Sequence, residues 1–300
     1  MAFSIADLRS FDNLSLLAQQ LVDGFVTGLH KSPYHGFSVE FAEHKLYNEG
    51  ESTRNIDWKV FARTDRLYTK QFQEETNLRC RMIIDTSASM HYPLPNKEKL
   101  QFSCFAAACL TNLLCRQRDA VGLSTFSNEV EYESEQKSTS SHANKLISKL
   151  QALPEDTASK STNIEEVLHT IAETSSKRSL IIIFSDMLQE KESHERIFTA
   201  LQHLKHNKHE VLLFHVGDYK TERDFEFEDR KHQFIDLETG QKVEANPWEI
   251  RDYFQKQAKQ FLNALKIRCG TMKIDLITID ISEPFEKVLS AYLIKRKKMK

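Results

Sequence analysis

Three polar side chains directly follow a short apolar run near the first third of the chain. Residues 79–84 read RCRMII and lead into Asp85, Ser87 and Ser89, with only small residues between these three. A short apolar run that ends in a polar turn is typical of a buried strand entering a loop. One carboxylate and two hydroxyls, with no His or Cys beside them, favour Mg²⁺ or Mn²⁺ over zinc.

Two more polar residues occupy comparable positions later in the chain. Asp186 follows the apolar run at 180–184, and Thr162 stands at the entry to a predicted helix. Carboxyl ends of neighbouring parallel strands lie side by side, so Asp85 and Asp186 are expected to converge, with water completing the shell of oxygen ligands. Each residue alone could be a helix cap or a turn former. Capping and turn formation do not explain why five such residues occur together at the predicted carboxyl ends of strands: Asp85, Ser87, Ser89, Thr162 and Asp186.

The elements that must position these residues alternate between apolar strands and amphipathic helices. This alternation predicts an α/β fold with a doubly wound, mostly parallel, Rossmann-like sheet. The clearest helix is predicted at 97–118, where apolar residues recur with helical spacing. Further segments are predicted as hairpin strands at 120–125 and 129–133, helices at 143–153, 164–175, 190–208 and 247–268, and strands at 179–185, 211–216 and 273–279.

The two ends of the chain and one internal segment depart from this alternation. Residues 1–77 are predicted to form an extension, with an amphipathic helix at 10–30, that packs on a main domain at 78–300. Residues 225–245 are predicted to form a small β excursion within the main domain. A last helix at 284–295 runs into the basic sequence KRKKMK, which is interpreted as a solvated tail, with a contact to phosphate or acidic lipid as the alternative.

Composition restricts the classes of function. Lys plus Arg number 41 and Asp plus Glu 43, for a net charge of −2, so no global field favours nucleic acid. No apolar run approaches the roughly 20 residues of a membrane span, and no signal peptide is recognised at the start. Five cysteines without a CxxC pair indicate reduced thiols and a cytoplasmic location, with Cys109 a buried hydrophobe.

Three histidines recur at every third position near the end of one predicted helix. His203, His206 and His209 could offer two ligands to zinc, but no third type of ligand is close in sequence. We therefore expect solvated histidines rather than a zinc site.

The five polar residues together resemble the metal-ion-dependent adhesion site of von Willebrand factor type A domains. The motif Asp-x-Ser-x-Ser, followed by a helix-capping Thr and a strand-ending Asp, is matched at all five positions. The resemblance implies a von Willebrand factor type A-like fold with a bound Mg²⁺ or Mn²⁺.

The segment before residue 79 resembles the bacterial "domain of unknown function 58" family. The similar blocks are GFSVEF at 36–41, RNIDWK at 54–59, ART at 62–64 and DLETG at 236–240. Within these blocks, a structural clamp is favoured over a ligand site for a set of charged and aromatic residues: Arg54, Asp57, Trp58, Lys59 and Arg63. The resemblance covers about residues 30–290.

The resemblance implies a non-enzymatic binding module rather than an enzyme. It implies a partner that is an AAA+ ATPase of the MoxR class, or that ATPase's client, in the assembly or maturation of protein complexes. The partner is expected to supply an Asp or Glu to the metal. The chain has no nucleotide-binding motif of its own. The alternative is a phosphatase-like, metal-dependent hydrolase that uses Asp85 and Asp186, although Ser87 stands where such an enzyme needs a general acid.

Overall fold

The computed structural model of the chain describes residues 14–30, 44–46, 58–70, 78–155, 163–188 and 194–299. Contacts divide the chain into two units, one made of Met1–Val26 with Leu78–Lys300 and the other of Thr27–Asn77. The first helix, α1 (Leu14–His30), has the buried residues Leu17, Leu21 and Val22 on one side. The predicted packing of residues 1–77 on the main domain stays a prediction.

The smaller unit contains a short antiparallel strand pair and a short helix. The pair is β1 (His44–Leu46) with β2 (Tyr68–Lys70), and the helix between them is α2 (Trp58–Thr64). Trp58 contacts Phe61 edge to face and is otherwise exposed. Arg54 and Asp57 lie outside the described residues, so the interpretation of this block as a clamp stays a prediction.

The larger unit is an α/β structure built on a six-stranded sheet. Its elements in chain order are β3 (Arg79–Asp85), α3 (Glu98–Arg116), β4 (Ala120–Phe126), β5 (Val130–Glu133), α4 (Ser140–Ala152), α5 (Ile164–Thr174), β6 (Leu180–Ser185), α6 (His194–His206), β7 (Glu210–Gly217), β8 (His232–Ile235), β9 (Lys242–Ala245), α7 (Pro247–Thr271), β10 (Asp275–Asp280) and α8 (Glu286–Met299). The strand order across the sheet is β10-β7-β6-β3-β4-β5, and only β5 is antiparallel to its neighbour.

Helices cover both faces of the sheet, because the central strands are apolar on both sides. Helices α5, α6 and α7 form one core with strand residues such as Ile83, Ile183 and Leu213. Alternate strand residues point to the opposite face, where Phe184 stacks on Phe214. Phe285, just before α8, packs against Phe102 and Phe105 of α3. The predicted mostly parallel α/β sheet is confirmed.

Local signals explain where several helices begin. The Thr139 side chain accepts a hydrogen bond from the His142 N–H at 3.3 Å and caps α4. Asn163 caps α5 by accepting from the Glu166 N–H at 3.4 Å. Pro247 begins α7, since its missing N–H has no partner to lose in the first turn of a helix. These helices start close to their predicted positions.

The β excursion predicted at 225–245 is confirmed as the antiparallel pair β8–β9, which joins Ile235 to Lys242 through a turn. Gly240 takes a positive φ of 73° in this turn, a conformation that other residues rarely adopt.

The prediction of a solvated basic tail at the end of the chain was wrong for Lys295. This side chain is buried, and its Nζ donates to Glu210 at 2.6 Å and to Asp275 at 2.8 Å.

In the ranges that the structure describes, none of the helices has both the length and the apolar character needed to cross a membrane.

Candidate functional site

The topology of the sheet brings two of the predicted residues to one place. Asp85 is the last residue of β3, and Asp186 follows directly after β6. These two strands are neighbours, paired in parallel with Ile84 beside Phe184. The chain leaves β3 toward β4 on one side and returns through β6 on the other, so the strand order reverses between them. In open α/β sheets, ligands bind at such a switch point.

Hydrogen bonds draw the two serines toward these carboxylates. The backbone N–H of Ser87 donates to Asp85 Oδ1 at 3.0 Å, and the hydroxyls of Ser87 and Ser89 are 3.1 Å apart. The polar side chain of Ser89 also helps to lower the pKa of the Asp186 carboxyl. The structure therefore brings together four of the five predicted residues, Asp85, Ser87, Ser89 and Asp186. Thr162 lies outside the described residues.

The residue after Thr162 is attached to the same end of the sheet. The backbone N–H of Asn163 donates to the Ser127 carbonyl at 3.2 Å, just beyond β4. Nearby, Glu131 accepts hydrogen bonds from the hydroxyls of Thr86 and Ser127 at 3.0 and 2.6 Å. The loops after β3 and β4 are thus joined by side-chain contacts beside the site.

The polar residues at this edge of the sheet, here called the cluster, also include a buried lysine. The Lys99 ammonium, at the start of α3, donates to Asp186 Oδ2 at 2.8 Å and to Glu222 Oε1 at 2.5 Å. Its side chain is 0% exposed. Glu222 lies in a π-helical turn, Tyr219–Arg223, and its other oxygen accepts the Asp218 N–H at 2.8 Å. π-Helical segments are rare in proteins, and many of those that do occur are found at functional sites.

Burial and charge shift the pKa values of the acids in opposite directions. Burial, and then the charge of Asp186, raise the pKa of Asp85 to about 7 from 3.8. Burial would also raise the pKa of Asp186, but the Lys99 ammonium reverses this and holds it below its usual value. Burial raises the pKa of Glu222. Asp186 is therefore charged at neutral pH, whereas Asp85 is near the midpoint of its titration.

The cluster carries more negative charge than its own cation can neutralise. When Asp85 is ionised, three carboxylates (Asp85, Asp186 and Glu222) stand against the single ammonium of Lys99. Among the residues that the structure describes, no group of three or more His, Cys, Asp or Glu side chains is arranged to hold a metal ion. A metal held here would therefore depend on two carboxylates, hydroxyls and water, a set of oxygen donors that suits Mg²⁺.

Sequence reasoning missed three members of the cluster: Lys99, Ser185 and Glu222. Ser185 donates its hydroxyl to Asp85 Oδ2 at 2.6 Å. Lys99 stands three residues before Phe102, at the start of the apolar stripe of α3. A lysine at a position where the helical spacing places a buried side chain is a signal from which its burial could have been predicted. Glu222 lies after β7, which neighbours β6, but nothing in its local sequence marks it.

The prediction of three solvated histidines was wrong for His209. This ring is fully buried between α6 and β7, and its backbone N–H donates to the Leu204 carbonyl. His203 is half-buried and pairs with His169, with 2.9 Å between their Nδ1 atoms. His206 is exposed as expected.

A cavity of about 550 Å³ adjoins the cluster on the side of α7. Asp186, Glu222 and His215 line it at the cluster, and Phe254, Ala258 and Phe261 of α7 form part of its wall. Burial lowers the pKa of His215 to about 4, so this ring is neutral. The cavity and the candidate metal site share Asp186.

Fold and site together define a doubly wound α/β protein with an acidic, hydroxyl-rich cluster at the switch point of its sheet. The family model described as "Protein of unknown function DUF58" matches residues 43–264. The chain therefore belongs to this family, and the resemblance expected from its sequence blocks is confirmed.

Curated relatives include uncharacterized proteins of Mycobacterium tuberculosis and Mycobacterium bovis. Each is 25% identical over 175 residues, which is 58% of this chain and 55% of the relative. The chain thus spans about half the length of the curated relatives that it matches.

Solved structures with a similar arrangement come from other bacteria. The conserved hypothetical protein BatB from Bacteroides thetaiotaomicron is 14% identical, with a TM-score of 0.47 over 74% of this chain and 100% of that one. An aerotolerance-related membrane protein from Bacteroides fragilis is 15% identical, with a TM-score of 0.47 over 73% and 99%. The PilB minor pilin from Streptococcus sanguinis is 10% identical, with a TM-score of 0.42 over 78% and 64%.

Proposed function

We propose that this chain is a non-enzymatic, metal-dependent protein-binding module with a von Willebrand factor type A-like fold. The carrying observation is the meeting of two carboxylates and two hydroxyls at the switch point, where Lys99 is the only cation among the described residues that forms an ion pair with these acids. The proposed ion is Mg²⁺ or Mn²⁺, and its proposed protein ligands are Asp85, Ser87, Ser89, Thr162 and Asp186.

The free lone pairs of Asp85 support this assignment. From the part of the chain that the structure describes, its two oxygens accept one hydrogen bond each, from the Ser87 N–H and the Ser185 hydroxyl. A carboxylate has about four lone-pair sites, so roughly half of them remain for a cation. Asp85 also has a pKa of about 7, and a ligand of this kind gives up its proton when a metal binds. Asp85 is therefore poised to exchange a proton for a metal ion at neutral pH.

Lys99 has a separate role in this proposal. Its ammonium holds Asp186 and Glu222 together when no metal is bound, because buried carboxylates without a cation repel each other. If a metal were bound, Asp186 would be shared between the metal and the Lys99 ammonium. Lys99 thus keeps the site folded in the metal-free protein.

A partner protein completes the proposed site. With Asp85 ionised, the three carboxylates and the Lys99 ammonium sum to −2, which matches the charge of the ion and leaves its remaining coordination positions to hydroxyls and water. A partner's Asp or Glu would replace a water there, and its contact is stronger at a partly desolvated interface than in bulk water. Metal and partner then bind cooperatively, each raising the affinity of the other by the same factor.

The class of partner is proposed from the family resemblance. We propose an AAA+ ATPase of the MoxR class, or a client of that ATPase, in the assembly or maturation of protein complexes in the cytoplasm. The rival is a phosphatase-like hydrolase, and the pKa of Asp85 near 7 is the observation in its favour. Phosphate-ester turnover with Mn²⁺ that disappears in Asp85→Ala would favour that rival.

Capture of partners from a lysate of the native host tests the proposal. With Mg²⁺, we expect the full chain to retain a MoxR-class ATPase or its client, identified by mass spectrometry. Chelation with EDTA, Ser87→Ala or Thr162→Ala should each reduce capture about tenfold, because a coupling of about 1.4 kcal/mol is lost.

The matched control is Ser141→Ala, which removes an exposed serine hydroxyl on α4 and should capture as the unaltered chain does. Equal capture in Mg²⁺ and EDTA, and by Ser87→Ala and Thr162→Ala, would rule out a metal-dependent contact.

A further inference from the structure

The cavity beside the cluster has the size of a small-molecule site. Its volume of about 550 Å³ falls within the roughly 300–1,000 Å³ that is usual for ligand pockets. It lies at the carboxyl end of β7, next to the switch point, with α7 as its outer wall. The cavity shares Asp186 with the candidate metal site, so its ligand is tested here in the absence of metal.

One wall of the cavity is an apolar face of α7. Phe254, Ala258, Phe261 and Leu262 line it at intervals of four, three and one residues, which keeps them on one side of the helix. The Phe261 ring also contacts the ring of His215, with 6.2 Å between their centroids. This wall suits an alkyl chain or an aromatic ring.

The opposite end of the cavity presents hydrogen-bond acceptors. Asp186 and Glu222 line it there, and each still has lone pairs beyond those used by Lys99 and the backbone. His215 also lines it, and the ring is 7% exposed.

Charge at this end favours a cation. Arg223 also lines the cavity, but two of its nitrogens donate to the Asp224 carboxylate at 2.9 and 2.6 Å, which neutralises its charge. The other charged groups described here are the two carboxylates of Asp186 and Glu222 and the ammonium of Lys99, which together carry a net negative charge. An acidic ligand would be repelled here, whereas an ammonium would be attracted.

We propose that this cavity binds a small amphipathic amine, with its ammonium at Glu222 and Asp186 and its apolar part against α7. Lys99 is an internal precedent, because its own alkyl-ammonium group is already bound by the same two carboxylates. The proposed ligand reaches them from the cavity side.

Three probes of equal length test the charge of the ligand: 4-phenylbutylamine, the corresponding alcohol and the corresponding carboxylate. Binding to the full chain is measured by calorimetry in EDTA, so that the result does not depend on the metal. We expect one amine per chain, bound at least about tenfold more tightly than the alcohol, and no measurable binding of the carboxylate. Glu222→Gln should remove most of the difference between amine and alcohol.

Cavity-filling variants test the location. Ala258→Trp and Gln257→Trp each put a large ring into the cavity and should abolish amine binding, and using both guards against misfolding of either one. Asn263→Trp, at an exposed position of the same helix outside the cavity lining, is the matched control and should bind normally. Equal affinity for amine and alcohol, preference for the carboxylate, or undiminished binding in both cavity variants would overturn the proposal.

Discussion

Lys99→Met is expected to lower the free energy of unfolding by about 3–5 kcal/mol in EDTA, since one partner of a buried ion pair is removed. The ammonium is fully buried and serves two carboxylates at once, Asp186 and Glu222. Methionine has a similar volume, so the loss comes from uncompensated negative charge rather than from a cavity. Chemical denaturation near neutral pH measures the change.

Divalent metal should recover part of this loss. A site at Asp85 and Asp186 would gain affinity for Mg²⁺ in Lys99→Met, because a competing positive charge has been removed. The stabilisation by Mg²⁺ should therefore be larger in Lys99→Met than in the unaltered chain. Lys256→Met, on the exposed side of α7, is the control and should change stability by less than about 0.5 kcal/mol. An unchanged free energy of unfolding in Lys99→Met would contradict the placement of Lys99 in the cluster.

Asp85→Asn is expected to raise the free energy of unfolding in EDTA and to abolish the stabilisation by metal. Burial and the charge of Asp186 raise the folded-state pKa of Asp85 to about 7, above the 3.8 of an unperturbed aspartate. For an acid with a raised pKa, the stability it contributes is complete below the unfolded pKa and is lost as pH rises through the folded pKa. In EDTA the free energy of unfolding should thus fall between about pH 4 and pH 7, by up to about 4 kcal/mol.

Asparagine has no charge to bury, so Asp85→Asn should flatten this part of the pH profile. At about pH 8 in EDTA the variant should be more stable than the unaltered chain by about 1–3 kcal/mol. With Mg²⁺ at about 100 times its dissociation constant, the unaltered chain should gain about 2.7 kcal/mol and the variant almost nothing. The pH dependence that Asp186 contributes has the opposite sign. Its pKa is lowered in the folded chain, so the stability contributed by its ionised form is lost only as the pH falls into more acidic solution.

Asp252→Asn, an exposed change on α7, is the control for this series and should respond to Mg²⁺ as the unaltered chain does. Two results would count against the account: a pH profile in EDTA that is the same in Asp85→Asn as in the unaltered chain, or an equal response of both to Mg²⁺.

The sheet, and the close approach of Asp85 to Asp186, could be predicted because both follow from the local pattern of apolar and polar residues in the sequence. The runs before Asp85 and Asp186 are apolar on both faces, which indicates central parallel strands. Polar residues directly after such strands must lie at one edge of the sheet. Once β3 and β6 were identified, the convergence of the two acids required no knowledge of loops.

Residues whose role depends on distant contacts could not be predicted in this way. Glu222 reaches Lys99 from a π-helical turn 123 positions along the chain, and no local pattern indicates that distance. The spacing of His209 suggested a helix surface, but it stands past the end of α6 in a buried turn. Lys295 belongs to a basic run, yet its long side chain reaches Glu210 and Asp275 in two neighbouring strands.

The most direct test of the central claim is anomalous X-ray scattering from crystals of the full chain grown with Mn²⁺. The account predicts one strong peak per chain beside the carboxylates of Asp85 and Asp186 and the hydroxyls of Ser87 and Ser89, at distances close to the 2.0–2.1 Å that Mg²⁺ requires. Lys99 should stay hydrogen-bonded to Glu222. A map with no peak at this edge of the sheet under saturating Mn²⁺, with Lys99 still bound to Asp186 as the sole cation, would contradict it.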